Sequence, residues 1–454
     1  MTSKNEVYLD AAGAALPDEV MMRNICAEMM STTFGNPHSA GSKLGDGMLT
    51  RSEEARQEVL KHFNVYSDEY DVVFTSGTTS AMNLVGHNFP WTHMNHICYP
   101  MNSHTSLLGL RGYAQNSHTI PSTRLQYYNT NKEVLFKDVC NSEFIDPSRD
   151  SGSYNLLLVP GECNFSGVKA DIEKVGKLSM LHGNKLLEYL EATSVTSVGN
   201  SIPQNDYPWL WLLDAAKLAA TSPVDLSVLP KQQRPHFVVM SFYKVFGYPT
   251  GLGALLIRRD IAPILQKRYH GGGTLLAAAA DSSFMRPKRA HPHEYLEDGT
   301  PHFYGIAALR HCFASLRARG GMQALQDRCF ELTAYLVRGM RALCHNTEPS
   351  LSLCVLYGAN YESEQQSELV PSRQGPIVAF NVRWRTGAFV GFSEVGRRAA
   401  EAGIQLRTGC FCNVGGCQEA LGLSAVDVEH NYSLGRVCSD SGHDLVNGRP
   451  TGAL

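Results

Sequence analysis

The chain has 454 residues and carries 40 Lys and Arg residues against 43 Asp and Glu residues, for a formal net charge of −3. This length predicts two or three domains and a substantial apolar core. No basic block is interleaved with aromatic residues, so the composition argues against nucleic-acid binding and favours a small-molecule substrate. The N-terminal stretch is too charged for a signal peptide and no run reaches the ~18 apolar residues of a membrane span, so we expect no membrane association and a cytoplasmic location.

Six short β-rich runs alternate with amphipathic stretches between about residues 50 and 260. They are YDVVFTSG (70–77), HICYP (96–100), YNLLLVP (154–160), WLWLLDAA (209–216), HFVVMSF (236–242) and GLGALLI (251–257). This alternation predicts an α/β fold with a mostly parallel central sheet and helices on both faces. Ligands of such sheets bind at the carboxyl ends of the strands.

The pattern changes after about residue 280. Helices are predicted near 305–320, 322–344 and 393–403, and a strand near 376–384. We therefore predict a large domain over residues 30–280, and a smaller α/β domain that combines residues 1–29 with residues 281–454.

Lys244 follows a predicted buried strand and precedes a glycine-bearing loop in SFYKVFGYPTG (241–251). Burial lowers the pKa of a lysine, and the unprotonated amine can condense with an aldehyde to form a Schiff base. A lysine at a strand end more often extends to solvent. Lys217 is the alternative Schiff-base residue, but it stands three residues after Asp214 and is expected to begin a helix, so we prefer Lys244.

Asp214 closes the apolar run WLWLLD (209–214). The ring nitrogen of pyridoxal phosphate needs an acidic partner to stay protonated, and a carboxylate at the end of a buried strand suits that role. A helix N-cap or a solvent-exposed strand end is the structural alternative. Together with Lys244, Asp214 predicts pyridoxal phosphate as the cofactor.

A phosphate site is predicted where FTSGTTSAMNLV (74–85) passes from strand through a turn into a helix. Backbone N–H groups at a helix N-terminus bind phosphate, although Ser and Thr caps are common at any helix start. The predicted ligands of the phosphate are Gly77, Thr78, Thr79 and Ser241. His104, in NSHTSLLGLR (102–111), could lie flat against a planar cofactor.

These segments, with YLDAAGAALP (8–17), CNFSG (163–167), HGGGT (270–274) and RTGCFCNVGGCQ (407–418), resemble the class V aminotransferase family of pyridoxal phosphate enzymes. The resemblance is specifically to the cysteine desulfurases, and among them to the N-terminal part of the eukaryotic molybdenum cofactor sulfurases. It implies the type I fold of pyridoxal phosphate-dependent transferases.

The resemblance also implies residue roles. Lys244 would hold the cofactor covalently, Asp214 would face the ring nitrogen and His104 would stack on the ring. Asn164 would lie beside the cofactor or the substrate. Thr274 would reach the phosphate of a partner subunit, so a homodimer is expected. Thr78, Thr79 and Ser241 would bind the phosphate.

Three cysteines, Cys410, Cys412 and Cys417, lie close together after Arg407. In related desulfurases the nucleophile stands five residues after the arginine of this motif, which selects Cys412, and a neighbouring cation such as Arg407 favours the reactive thiolate. If the stretch is extended, Cys410 points to the same side and is the second candidate nucleophile or a resolving thiol. The alternative is a zinc site, which would need a fourth ligand; we expect no metal, and a disulfide framework is not expected in a long chain of this type.

The family implies a reaction in which L-cysteine yields alanine and a persulfide on Cys412, whose sulfur then replaces an oxo ligand of the molybdenum cofactor. The resemblance also implies a carboxylate-binding arginine on a last strand and a C-terminal cofactor-binding domain, both absent up to Leu454. Arg407 is expected to bind the substrate in part. A separate protein that carries the molybdenum cofactor is expected to accept the sulfur; the alternative is that the sequence is a fragment. The alternatives are a desulfurase or selenocysteine lyase of another pathway, and a non-catalytic scaffold.

Overall fold

The computed structural model describes residues 6–39, 41–126, 152–196, 203–345, 348–359, 370–437 and 442–454. The first strand, β1 (Val7–Tyr8), lies outside the central sheet. The central sheet consists of β2 (Tyr70–Thr75), β3 (His96–Pro100), β4 (Asn116–Ile120), β5 (Asn155–Pro160), β6 (Thr193–Thr196), β7 (Trp209–Asp214), β8 (Phe237–Ser241) and β9 (Gly253–Arg258). Its spatial order is β2-β9-β8-β7-β5-β3-β4-β6.

The middle of this sheet is parallel: β4, β3, β5, β7 and β8 run in one direction. β9 is antiparallel to both of its neighbours, β8 and β2, and β6 is antiparallel to β4. Each of the six runs predicted from the sequence contributes a strand. The carboxyl ends of β5, β7 and β8 consequently meet at one edge, which is where a ligand is expected.

Helices cover both faces of the sheet. Those of the first half are α1 (Glu19–Ser31), α2 (Lys43–His62), α3 (Thr78–Asn88), α4 (Thr105–Leu108), α5 (Ile172–Leu178), α6 (Gly183–Tyr189), α7 (Leu218–Thr221) and α8 (Phe242–Phe246). Those of the second half are α9 (Pro292–Leu296), α10 (Phe303–Ala318), α11 (Gly321–Arg341), α12 (Phe392–Glu401), α13 (Val414–Leu421) and α14 (Ala425–Ser433).

The uniformly apolar strands are explained by two separate core clusters. In β5, Leu157 and Val159 belong to the cluster that includes α1, α2 and α10, whereas Leu156 and Leu158 belong to the cluster that includes α3. All four side chains are fully buried. Since burying one such side chain contributes about 1.5–3 kcal/mol, both faces of the strand stabilise the fold and hold its polar end in place.

The C-terminal part adds short strands. They are β10 (Leu275–Ala278), β11 (Met285–Pro287), β12 (Cys344–His345), β13 (Glu348–Ser352), β14 (Cys354–Tyr357), β15 (Ala379–Val382), β16 (Ile404–Gln405), β17 (Leu445–Val446) and β18 (Arg449–Pro450). β1 pairs in parallel with β16, which joins the N-terminal segment to this part. Leu454 and Phe380 exchange backbone hydrogen bonds beside β15. None of the helices in the described ranges is long and apolar enough to cross a membrane.

Candidate active site

A cleft of about 530 Å³ opens at the carboxyl ends of the central strands. A volume of this size suits a cofactor with a small substrate. The chain supplies its walls from the ends of β2, β5, β7 and β8 and from the starts of α3 and α4. Its polar lining consists of Ser76, Thr78, Thr79, Ser80, Asn83, His104, Ser106, Glu162, Asn164, Asp214, Lys217, Ser241, Tyr243 and Lys244.

Asp214 and Lys244 form the buried charged centre of this cleft. Burial raises the pKa of the Asp214 carboxyl, and the Lys244 ammonium opposes that rise. Burial lowers the pKa of Lys244, with Lys217 and Arg407 adding to the decrease and Asp214 opposing it. The backbone N–H of Ala216 donates to Asp214 Oδ1 over 3.0 Å. A buried carboxylate with one backbone donor is suited to a ligand that presents a cationic N–H group.

A group of hydroxyls and backbone amides surrounds the N-terminus of α3. The N–H of Thr78 donates to Ser241 Oγ over 2.9 Å, and the two hydroxyl oxygens lie 2.6 Å apart. Thr79 Oγ1 lies 2.8 Å from Ser106 Oγ on α4. α3 has no side-chain cap from Gly77 and its N-terminus lines the cleft, so the N–H groups that follow Thr78 are suited to bind an anion.

Glycine is required at the turn before α3. Gly77 has φ = +142°, a value that L side chains rarely adopt. A Cβ atom on the neighbouring Gly253 would lie 2.7 Å from the Cα atom of Gly77. The two glycines therefore let β9 approach the turn closely, which fixes the hydroxyls of Thr78 and Ser241 relative to the strand ends.

His104 lies at the N-terminus of α4, beside the cleft. Burial, together with the nearby charges of Lys244 and Arg407, lowers its pKa to about 4. Its Nδ1 accepts a hydrogen bond of 3.1 Å from the N–H of Ser106. The imidazole is therefore neutral near pH 7 with its proton on Nε2, as stacking against an electron-poor ring requires.

Lys217 differs from its predicted placement. It precedes α7, as expected, but its side chain lines the same cleft as Lys244. Its Nζ lies 3.1 Å from Glu162 Oε1, and the two side chains are 5% and 0% exposed. Sequence reasoning missed Glu162, although it lies just after β5, whose last residue pairs with Asp214 at the end of β7, and this place could have marked it as a cleft residue.

The cysteine motif adopts a different backbone from the one predicted. Phe411 and Cys412 have φ values of +54° and +57°, so the stretch is not extended. The condition under which Cys410 and Cys412 would point to the same side is therefore not met. Cys410 forms a disulfide with Cys417, and Cys412 is free and exposed, with its Sγ atom 3.6 Å from Arg407 Nη2.

This pairing changes the interpretation of the motif. The disulfide was not expected. Until it is reduced, Cys410 has no free thiol and cannot act as the second candidate nucleophile. In the part of the chain that the structure describes, no three His, Cys, Asp or Glu side chains converge as metal ligands.

Two predicted site residues make contacts that the sequence did not indicate. Asn164 lines the cleft, and its Nδ2 donates to the backbone carbonyl of Phe411 over 2.7 Å. Thr274 is fully buried and does not line the cleft; its hydroxyl donates to the carbonyl of Gly271 over 2.7 Å. The contact of Thr274 with a partner subunit's phosphate stays a prediction.

The sequence model of the class V aminotransferases matches residues 7–135 and 190–353, together more than half of the chain. The chain belongs to the class V aminotransferase family. Among curated relatives, the molybdenum cofactor sulfurase of Arabidopsis thaliana is 37% identical over 468 residues, an alignment that covers 99% of this chain and 54% of that protein. The chain therefore spans about half the length of the curated relatives it matches.

Solved structures of class V enzymes share the fold. The cysteine desulfurase CsdA of Escherichia coli superposes with a TM-score of 0.63 at 18% identity, covering 91% of this chain and 87% of that one. A variant of the cystine C–S lyase C-DES, with glycine covalently linked to its pyridoxal phosphate, also superposes with a TM-score of 0.63, at 15% identity and with coverage of 95% and 96%. The predicted fold class is confirmed.

Proposed function

We propose that the chain is a pyridoxal phosphate-dependent L-cysteine desulfurase that supplies sulfur for the molybdenum cofactor. The observation that carries the proposal is the meeting of Lys244, Asp214 and the α3 phosphate cradle in one cleft, with Cys412 on a loop docked beside it. The similarity to molybdenum cofactor sulfurases over 99% of this chain supports the choice of pathway.

The residues of the cleft fit pyridoxal phosphate. Thr78, Thr79 and Ser241, with the first N–H groups of α3, are the phosphate ligands. Asp214 is the partner of the ring nitrogen, because a buried carboxylate gains most from a cationic N–H donor. His104, neutral at pH 7, stacks on the ring. When bound, the cofactor supplies an electron sink for the carbanion formed at the substrate Cα.

Lys244 is the residue that moves protons in this reaction. Burial lowers its pKa, which increases the share of the neutral amine. Lys244 would hold the cofactor covalently, and its amine, when free of the cofactor, would take the proton from the substrate Cα.

Cys412 is the sulfur acceptor. Its thiolate attacks the sulfur of L-cysteine, so that an S–S bond forms and the substrate C–S bond breaks. The electron pair of the C–S bond stays with the carbon fragment, which is protonated and leaves as alanine. Arg407 lies beside the Cys412 sulfur. It is the cation that attracts the substrate carboxylate or the Cys412 thiolate.

The proposal includes a homodimer. Support comes from exposed apolar side chains around Thr274, which are Tyr269, Leu276, Phe284 and Met285. A partner that covers them would bring its own phosphate cradle towards Thr274.

We propose a cytoplasmic location as well. Light scattering of the purified protein and cell fractionation test these two statements.

The test of the function is incubation of the cofactor-loaded protein with L-cysteine, followed by assays of alanine and of persulfide on each cysteine. Lys244→Ala is expected to lower alanine release by at least about 10³-fold, since general acid–base catalysis contributes up to about 10⁴-fold and the covalent link is lost as well. Lys61→Ala, at an exposed position, is the control. Parent protein that binds the cofactor but releases no alanine would contradict the desulfurase function.

Sulfur delivery needs a separate assay. Purified molybdenum-enzyme apoprotein bearing the desulfo cofactor is expected to become active only when this chain and L-cysteine are both present. Alanine release without any activation would retain the desulfurase and overturn the choice of acceptor.

A further inference from the structure

The loop that carries Cys412 is held against the cleft wall by two asparagines. Asn413 is fully buried. Its Nδ2 donates to the carbonyl of Asn102 and to Asn164 Oδ1, each over 2.9 Å. Asn164 in turn donates to the carbonyl of Phe411 over 2.7 Å. We name the pair Asn164 and Asn413 the asparagine latch.

The hydrogen-bond partners leave one orientation for each amide. The carbonyl of Phe411 only accepts, so Asn164 presents its Nδ2 there and its Oδ1 to Asn413. Asn413 must then donate to Asn164, and its Oδ1 accepts from the N–H of Gly416 over 2.9 Å, capping α13. Both ends of both side chains are therefore used, and a carboxylate at either position would lack a required donor.

The latch surrounds the strained part of the loop. The left-handed conformations of Phe411 and Cys412 are unfavourable for residues with side chains, and they persist only where surrounding contacts compensate. The N–H of Thr105 donates to the carbonyl of Cys412 over 2.8 Å, and the Phe411 ring packs on Phe165 with centroids 5.2 Å apart. The backbone on both sides of the Cys412 thiol is thus fixed to the segments that follow β3 and β5 of the central sheet.

We propose that Asn413 is a positioning residue that sets the place of the Cys412 thiol relative to the cleft, acting through Asn164. Asn164 belongs both to the latch and to the cleft lining. The same Asn164 side chain therefore connects the cleft wall directly to the loop that carries Cys412. The catalytic part of this inference rests on the proposed function, whereas the positioning part does not.

The sharpest variant is Asn413→Asp. One carboxylate oxygen keeps the acceptor that caps α13. The other replaces the Nδ2 donor with an acceptor, which is repelled by the carbonyl oxygen of Asn102 and by Asn164 Oδ1. Asn413→Ser is the second variant, since serine retains the cap and removes the amide donor without adding charge. It keeps the inference testable if Asn413→Asp fails to fold.

The first measurement is hydrogen exchange of the Thr105 amide, whose partner is the carbonyl of Cys412. Release of the loop is expected to accelerate its exchange by at least about 10-fold in both variants, while exchange in β5 and β7 is unchanged. Asn88→Asp is the matched control, because Asn88 is also a buried asparagine that donates to a carbonyl, that of Leu84, at the far end of α3. It is expected to leave Thr105 exchange as in the parent.

The second measurement is steady-state desulfuration. A displaced thiol is expected to lower kcat by at least about 10-fold with the KM for L-cysteine and the bound-cofactor absorbance unchanged. Folded Asn413 variants with parental Thr105 exchange and parental kcat would overturn the inference. If the parent releases no alanine, the exchange measurement still decides whether Asn413 holds the loop, which separates this failure from that of the proposed function.

Discussion

The cofactor cleft and the Cys412 loop are built in opposite ways. The cleft takes Asp214 and Ser241 from the ends of buried strands, whose positions follow from sheet register, and Lys244 from the helix α8 that follows β8 directly. The loop takes its shape from two left-handed residues, a disulfide and the asparagine latch. The cleft is therefore fixed by the core, whereas the Cys412 loop is held by a few polar contacts and by the packing of Phe411 on Phe165.

The largest expected effect separates these two regions. Cys412→Ser removes the sulfur acceptor while leaving every cleft residue in place, so cofactor binding should be retained and alanine release should fall by at least about 10³-fold. Mass spectrometry of protein treated with L-cysteine measures the persulfide, and absorbance measures the cofactor.

Cys26→Ser, which changes another exposed free cysteine, is the control and should behave as the parent. Persulfide that persists on Cys410 or Cys417 in the Cys412→Ser protein would identify a different nucleophile. The Cys410–Cys417 disulfide would then take part in sulfur transfer, and its role in the loop would not be structural alone.

The same contrast explains what the sequence predicted. Apolar runs ending in Asp214 and Ser241 place those residues at one edge of a parallel sheet, so the fold class and the meeting of these side chains with Lys244 could be inferred. Nothing local marks Phe411 and Cys412 as left-handed, since neither is a residue type that favours that region. Their conformation depends on contacts with Asn164 and Thr105, which lie more than 200 residues away.

The next prediction concerns the floor of the cleft. Glu162 and Lys217 form a buried ion pair, and Lys169 also lies close enough for Glu162 to oppose the burial-induced decrease in its pKa. Glu162→Gln leaves buried ammonium groups without their carboxylate. Such a change is expected to lower the free energy of unfolding by about 3–5 kcal/mol, measured by urea denaturation.

Two further variants sharpen this result. Glu394→Gln breaks exposed pairs on α12 and should lower the free energy of unfolding much less than Glu162→Gln does. The double variant Glu162→Gln with Lys217→Met should be less destabilised than Glu162→Gln alone, because one unpaired ammonium is removed with the carboxylate. Equal decreases in the free energy of unfolding for Glu162→Gln and Glu394→Gln would mean that the buried ion pair of the cleft stabilises the protein no more than the exposed pairs on α12 do.

The smallest expected effect is a pH dependence that also belongs to the cleft. Burial, with Lys244 and Arg407, lowers the pKa of His104 to about 4, against about 6.5 in an unfolded chain. Between these values the unfolded chain binds a proton that the folded protein does not, so the free energy of unfolding falls as the pH falls from about 6.5 towards 4. His104→Gln removes this contribution, so between pH 7 and pH 5 the variant should lose about 1–2 kcal/mol less than the parent in urea denaturation.

The buried His96, His118 and His236, whose pKa values are also lowered, act equally in both proteins and cancel in the difference. A loss in the His104 variant equal to that of the parent would show that the imidazole is solvated and does not pack against the cleft.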